Sequence, residues 1–183
     1  RPFNVRLFAT PGDQLVREAP QAGVRVTAIE AGDTQSVDLR LPLEATQLIR
    51  DAQGQPAGFG GLHAIVDANR EVHDVNLANN GVRLSSSDVL PVDPAVFEAD
   101  PATAPAGSEI VVAGEGLGPE PGKAIVHLGN VEMEAEIVGW YDLGVRLALP
   151  NLPLAGATPA EIVVVRGDGA AANPLQVTVL PPK

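Results

Sequence analysis

Asp67, Asn69 and Glu71 place oxygen donors at alternate positions, the spacing with which a calcium loop begins, and hard oxygen ligands are what calcium prefers. Counted from Asp67, however, the sixth place holds Val72 where such a loop needs glycine, and the twelfth holds Ala78 where it needs a bidentate Glu. Asp67, Asn69, Asn76 and Asn79 can instead fold their side chains onto nearby backbone amides, with Asn80-Gly81 turning into the next strand. The stretch 64–84, AIVDANREVHDVNLANNGVRL, therefore reads first as a strand-to-strand connection, with calcium as the competing reading.

The other chemistry-bearing residues are scattered. His63 and His73 with Asp74 lack the HxH or HExxH spacing of a transition-metal site, and His127 lies in the other half of the chain. If residues 62–66 form a strand, His63 faces away from Leu62 and Ala64, toward solvent. GEGLGPEPG (114–122) holds two glycines of a dinucleotide fingerprint, but Pro119 replaces the third and no helical pattern follows. Arg166-Gly167-Asp168 matches an adhesion tripeptide and coincides with an expected hairpin turn. Glu132, Glu134 and Glu136 alternate with apolar residues, so they share the outer face of a strand; a glycosidase pair must flank a scissile bond instead. Ser85 to Ser87 has no GxSxG context. Trp140-Tyr141 is the one aromatic pair able to stack on a sugar, but adjacent strand residues point to opposite faces, and Trp140 is expected in the core. No catalytic, cofactor-binding or metal-ligating residue is assigned from sequence, no cofactor is implied, and the chain reads as a non-enzyme.

The elements that must position these groups are strands. Nineteen Gly and 17 Pro among 183 residues, with six aromatic residues, point to many turns joining aliphatic strands. Period-two alternation recurs at Phe3, Val5, Leu7; Val24, Val26; Val37, Leu39, Leu41; and Leu62, Ala64, Val66. Only residues 43–55 suggest a helical turn or two, stopped by Gly54 and Pro56. The Ser, Asp and Pro density of residues 84–108 marks a boundary, with a linker near 88 to 94. Six further strand runs follow: SEIVVAG, AIVHLG, VEMEAEIV, VRLALP, EIVVVRG and LQVTVL.

The formal charge of −11 is uneven: residues 1–92 hold 8 basic and 11 acidic side chains, residues 93–183 hold 4 and 12. A nucleic-acid partner is excluded on this ground, because phosphate binding draws on clusters of Lys and Arg. Without cysteine there is no disulfide framework and no thiolate site. No apolar run reaches the roughly 18 residues of a membrane span, and no basic-then-apolar segment opens the chain.

On PAGSEIVVAGEGLG, VHLGN, GWYDLGVRLALP and EIVVVRGDGAAANPLQVTV, the second half resembles an IPT/TIG domain. On Val66-Asp67, Asn69, Val72, Asp74, Asn76 and Asn79-Asn80, the first half resembles the end of a CARDB domain, the cell adhesion related domain found in bacteria. The resemblances imply an all-β fold of two tandem immunoglobulin-like β-sandwich domains, residues 1–92 and 93–183, the first lacking its first strands. They also imply an extracytoplasmic spacer or protein-interaction module, adhesion-type, of a larger bacterial protein. Its partner would be a protein or cell-surface component; the alternative is a carbohydrate-binding accessory module that takes a polysaccharide.

Overall fold

The computed structural model describes residues 1–16, 18–89 and 93–182. The chain divides into two compact units, Arg1–Leu90 and Pro91–Lys183. Of the linker expected near residues 88 to 94, positions 90–92 lie outside the described residues.

The first unit is built on one antiparallel sheet. Strands β1 (Phe3–Thr10), β2 (Gln21–Val26), β3 (Gly61–Val66) and β4 (Gly81–Ser85) lie in the order β2-β1-β3-β4. Alternation sends Val5, Leu7 and Ala9 to the same face as their partners Val66, Ala64 and Leu62, and those in turn to the face of Val82 and Leu84. That apolar face is covered toward β1, where Val5 and Ala9 are buried, and uncovered toward β4, where Val82 is 61% and Leu84 47% exposed. The opposite face carries Asn4, Arg6, Arg25, His63 and Arg83.

Two local expectations meet different outcomes here. Residues 43–55 do hold a short helical turn, the 3-10 segment Ala45–Leu48, whose Ala45 is fully buried beside a fully buried Ile49. Val37, Leu39 and Leu41, expected as a strand, alternate half-buried with exposed neighbours yet join no ladder. The period of two is satisfied by laying one side of an extended segment on the protein, which requires no backbone partner.

The second unit is a single eight-stranded sheet. Its strands are β5 (Ala95–Asp100), β6 (Thr103–Pro105), β7 (Glu109–Glu115), β8 (Lys123–Leu128), β9 (Val131–Tyr141), β10 (Gly144–Ala148), β11 (Thr158–Val165) and β12 (Leu175–Leu180). They hydrogen-bond in the order β5-β7-β10-β9-β8-β11-β12-β6, with β12 and β6 parallel. The two ends of that row, β5 and β6, are consecutive in the chain and separated only by Pro101 and Ala102, so the sheet curls nearly into a barrel. Asn173 helps tie the curl: its amide donates to the Val96 carbonyl at 2.8 Å and accepts from the Val96 N–H at 2.9 Å, standing in for a strand neighbour. The inward set includes Ile110, Val112, Ala124, Val126, Val145, Leu147, Ile162, Val164 and Val179, all at or near zero exposure. Each fully buried Val, Leu or Ile of this set contributes roughly 1.5–3 kcal/mol.

This architecture corrects the expected fold class. The chain is mostly β, but it does not form two discrete immunoglobulin-like sandwiches: one sheet is a single four-stranded layer, and the other is a continuous, nearly closed row. A sandwich needs two separate sheets facing each other, whereas here β9 joins all eight strands in one row, pairing with β8 through Val131–Ala135 and with β10 through Glu136–Tyr141. The CARDB and IPT/TIG resemblances, and the adhesion-type description drawn from them, fall with it. Strands β5 and β6 also lie in the Pro-rich stretch that reads as a boundary; Pro101 sits between them, and Pro105 ends the edge strand β6, where a missing donor costs no ladder bond.

Candidate functional site

The Asn-rich stretch closes on itself. Asp67 is buried, and both carboxylate oxygens accept backbone N–H groups, from Glu71 at 2.7 Å and Val72 at 2.9 Å. Glu71 turns away to form an ion pair with Arg25 on β2, and Asn69 donates to Glu71. Asn76 accepts from the Ala78 N–H, the local Asx bonding read from sequence for it and for Asp67; Asp74, for which it was not read, accepts from the Asn76 N–H, while Asn69 bonds to the Glu71 side chain instead. The oxygens of Asp67 and Glu71 are thus directed to backbone amides, the Asn69 amide and a guanidinium, which supports the reading of a structural connection.

His63 departs from expectation. It does face away from Leu62 and Ala64, opposite Phe8 and Arg83, but it is half-buried and its Nε2 is covered with no hydrogen-bond partner among the described residues. His73 is exposed. His127, on β8, stands 4.0 Å from Glu132 across the β8/β9 ladder. Among the described residues no three His, Asp or Glu side chains are grouped as metal ligands. Glu132, Glu134 and Glu136 are all exposed on β9 while Met133, Ala135 and Ile137 turn inward.

The aromatic pair is sorted by a bulge. Opposite β10, the register shifts between Arg146↔Gly139 and Leu147↔Ile137, leaving Val138 as an extra residue. The inward set therefore runs Met133, Ala135, Ile137 and then Trp140, which packs against the core and donates from Nε1 to the Gly118 carbonyl at 3.0 Å. Tyr141 lies on the outer side with its ring over Gly139 and the Arg146 guanidinium 5.8 Å from its centroid. The two rings do not make a shared stacking platform.

Beside Trp140 a cleft of about 570 Å³ lies between the loop after β7 and the β11/β12 hairpin, over the buried Leu117 and lined by Pro119, Glu120, Pro121 and Gly167. Asp142 holds that loop by accepting from the Gly118 N–H at 2.9 Å. Across the hairpin turn, Arg166 grips Asp168 through two hydrogen bonds, Nε to Oδ1 at 3.0 Å and Nη2 to Oδ2 at 2.7 Å, and also donates to the Gly116 carbonyl. The opposite charges of the RGD tripeptide thus pair with each other within the hairpin turn.

The Arg166 side chain, aided by the Ala170 N–H, brings the Asp168 carboxyl down to about 2. Because the folded value lies below the unfolded one, the pair's stabilisation is complete above the ordinary carboxylate range near 4 and is lost as pH falls through about 2. A carbon-detected NMR titration should place the Asp168 midpoint at about 2 and return it toward the ordinary range in an Arg166→Gln variant.

At the far edge of the first sheet lies an opening of another kind. Val66 N–H donates to the Asn80 carbonyl and Ser86 N–H to the Gly60 carbonyl. With the register Ala64↔Val82 and Leu62↔Leu84, alternation of the ladder turns the N–H and C=O of Gly81 and Arg83 away from β3. Asp88 caps the end of this row by accepting from the Ser85 N–H and hydroxyl, which hold its carboxyl below the usual range. The missing first strands implied an exposed edge in the first half of the chain, open to pairing with another chain, but sequence reading did not place it at β4, for alternation does not state which neighbour is absent.

These features define a class, a mostly-β protein with one open four-stranded sheet and one nearly closed sheet. No protein-family model matches the chain, and no curated protein matches it. Among solved structures it is similar to a gamma-CGTase from Alkalophilic bacillus clarkii, at 20% identity and a TM-score of 0.43 over 72% of this chain and 16% of that one. It is also similar to a putative phosphatase from Bacteroides thetaiotaomicron VPI-5482, at 20% identity and a TM-score of 0.32 over 50% of this chain and 18% of that one. The chain thus spans under a fifth of either protein's length. Among the described residues no helix is long and apolar enough to cross a membrane.

Proposed function

We propose that this chain is a non-enzymatic interaction module of a larger extracytoplasmic protein, and that it takes an extended segment of a partner protein as a fifth strand on β4. The observation that carries this reading is the β4 edge itself. Its outward N–H and C=O groups at Gly81 and Arg83 sit beside the exposed apolar side chains Val82 and Leu84. Strand addition uses that combination, main-chain bonds for affinity and alternate side chains for selectivity. Proteins that avoid such pairing blunt their edges with charge, Pro or a cover; here Asp88 blunts only the end at Ser85.

The test is selection of displayed peptides on the immobilised protein. Enriched peptides should alternate apolar and polar residues. Arg83→Pro should weaken their binding at least about tenfold, since proline removes an outward N–H that β3 does not use. Arg83→Ala, which loses the side chain and its ion pair with Asp13 but keeps the N–H, should retain binding. Peptides that bind both variants equally, or no enrichment, would overturn the reading.

A further inference from the structure

On the other edge of the first sheet, the polar face of the β1/β2 hairpin holds a notch of about 440 Å³ whose lining includes Asn4, Arg6, Gln21, Gly23 and Arg25. We infer that this notch binds the carboxylate of an acidic sugar, a uronic acid unit within a largely neutral glycan, with Arg6 as the carboxylate-binding residue. The site does not depend on strand addition at β4.

Arg6 is distinguished by its company. Among the arginines on the strands of this sheet, Arg25 is paired with Glu71 and Arg83 with Asp13, whereas Arg6 has no carboxylate partner among the described residues. It donates from Nη1 to the neutral Gln21 Oε1 at 3.0 Å, a contact that orients the guanidinium without neutralising it. The residue directly across the ladder is Gly23, and an added Cβ there would meet only the Val5 carbonyl at 3.5 Å and Arg6 Cγ at 3.6 Å. Glycine at that place leaves the space beside the Arg6 side chain unfilled. Arg25, next along β2 on the same face, adds a second positive charge partly offset by Glu71.

A planar guanidinium binds carboxylate through paired hydrogen bonds. Beside it the Gln21 Oε1 accepts from Arg6 and leaves the Gln21 Nε2 as a donor, while the Asn4 Nδ2 donates to Glu71 and leaves the Asn4 Oδ1 as an acceptor; a donor and an acceptor suit the hydroxyls of a sugar ring better than the apolar side chains of a peptide. The volume falls within the range of small-ligand sites. The chain's net charge of −11 opposes a densely charged polymer, so an isolated uronate on a neutral glycan fits where a polyuronate does not.

The experiment follows amide NMR shifts of the full chain on titration with D-glucuronate, D-glucose and acetate. Glucuronate should move the amides around Arg6 and Gly23, with glucose and acetate at least about tenfold weaker. Arg6→Gln should abolish the response by removing the charge, and Gly23→Val should abolish it by filling the notch with every charge in place. An Arg146→Gln change, in the second unit, should leave it intact. No response to glucuronate, a response unchanged in both notch variants, or acetate binding as tightly as glucuronate would each overturn the inference, the last by reducing the site to an adventitious anion site.

Discussion

Gly122→Ala should destabilise the second unit by about 3–4 kcal/mol, among the larger effects of a single substitution, and lower its melting temperature by roughly 15 °C. An alanine Cβ at this position would lie 1.9 Å from the Val165 carbonyl oxygen and 2.8 Å from the Arg166 carbonyl carbon. Neither is the end of a flexible side chain. Residue 122 leads into β8, whose first pair is Lys123↔Val165, so relief of the overlap must separate β8 from β11 at the point where the ladder starts. The same movement would shift the 117–122 loop and with it the Gly118 carbonyl that accepts from Trp140. Trp140 is the only tryptophan, which makes its fluorescence a direct report on this region. Gly156→Ala is the control: nothing lies within 4 Å of its added carbon, and its melt should stay within about 0.5 kcal/mol of the parent. Equal melts for the two variants would show that the close approach of β8 and β11 is wrong.

Asp67→Ala should cost the first unit about 3 kcal/mol. The carboxylate accepts two backbone N–H groups, and hydrogen bonds to a charged group contribute about 1.5–3 kcal/mol each. Asp67 also stands at φ 51°, a left-handed conformation that Asp and Asn tolerate better than Ala. Asp67→Asn should therefore lose roughly half as much, keeping one acceptor and the backbone tolerance. The parent melt should be the same in calcium and in chelator, because a ligand of the folded state must raise stability and the Asp67 oxygens are already engaged. A higher melting temperature in calcium, absent from Asp67→Asn, would restore the ion reading.

Much of the local order was legible because it depends on near neighbours. The backbone bonding of Asp67 and Asn76 is local in the chain, so residue type alone points to it. The outward row Glu132, Glu134, Glu136 follows from the pleat, but strict alternation past Ile137 would turn Trp140 outward; the bulge at Val138, invisible in the sequence, is what turns it inward. His63 shows where local reasoning stops: its face was right, but its covered Nε2 depends on what packs above the strand.

Alternation and turn chemistry by themselves established that this chain is mostly β and where most of its strands lie, and they pointed to the local bonding of Asp67 and Asn76. Tertiary structure alone decided which extended segments become ladders, that eight of the strands form one curling row, and which edges remain open. The reason is physical. A period of two records which side chains are covered, and Val37, Leu39 and Leu41 carry that record without a ladder. Hydrogen-bond partners are chosen by backbone groups common to every residue, between segments as distant as β5 and the Asn173 that bridges to it. The Gly23 notch beside Arg6 likewise exists only because register sets those two residues opposite each other, 17 positions apart in the chain.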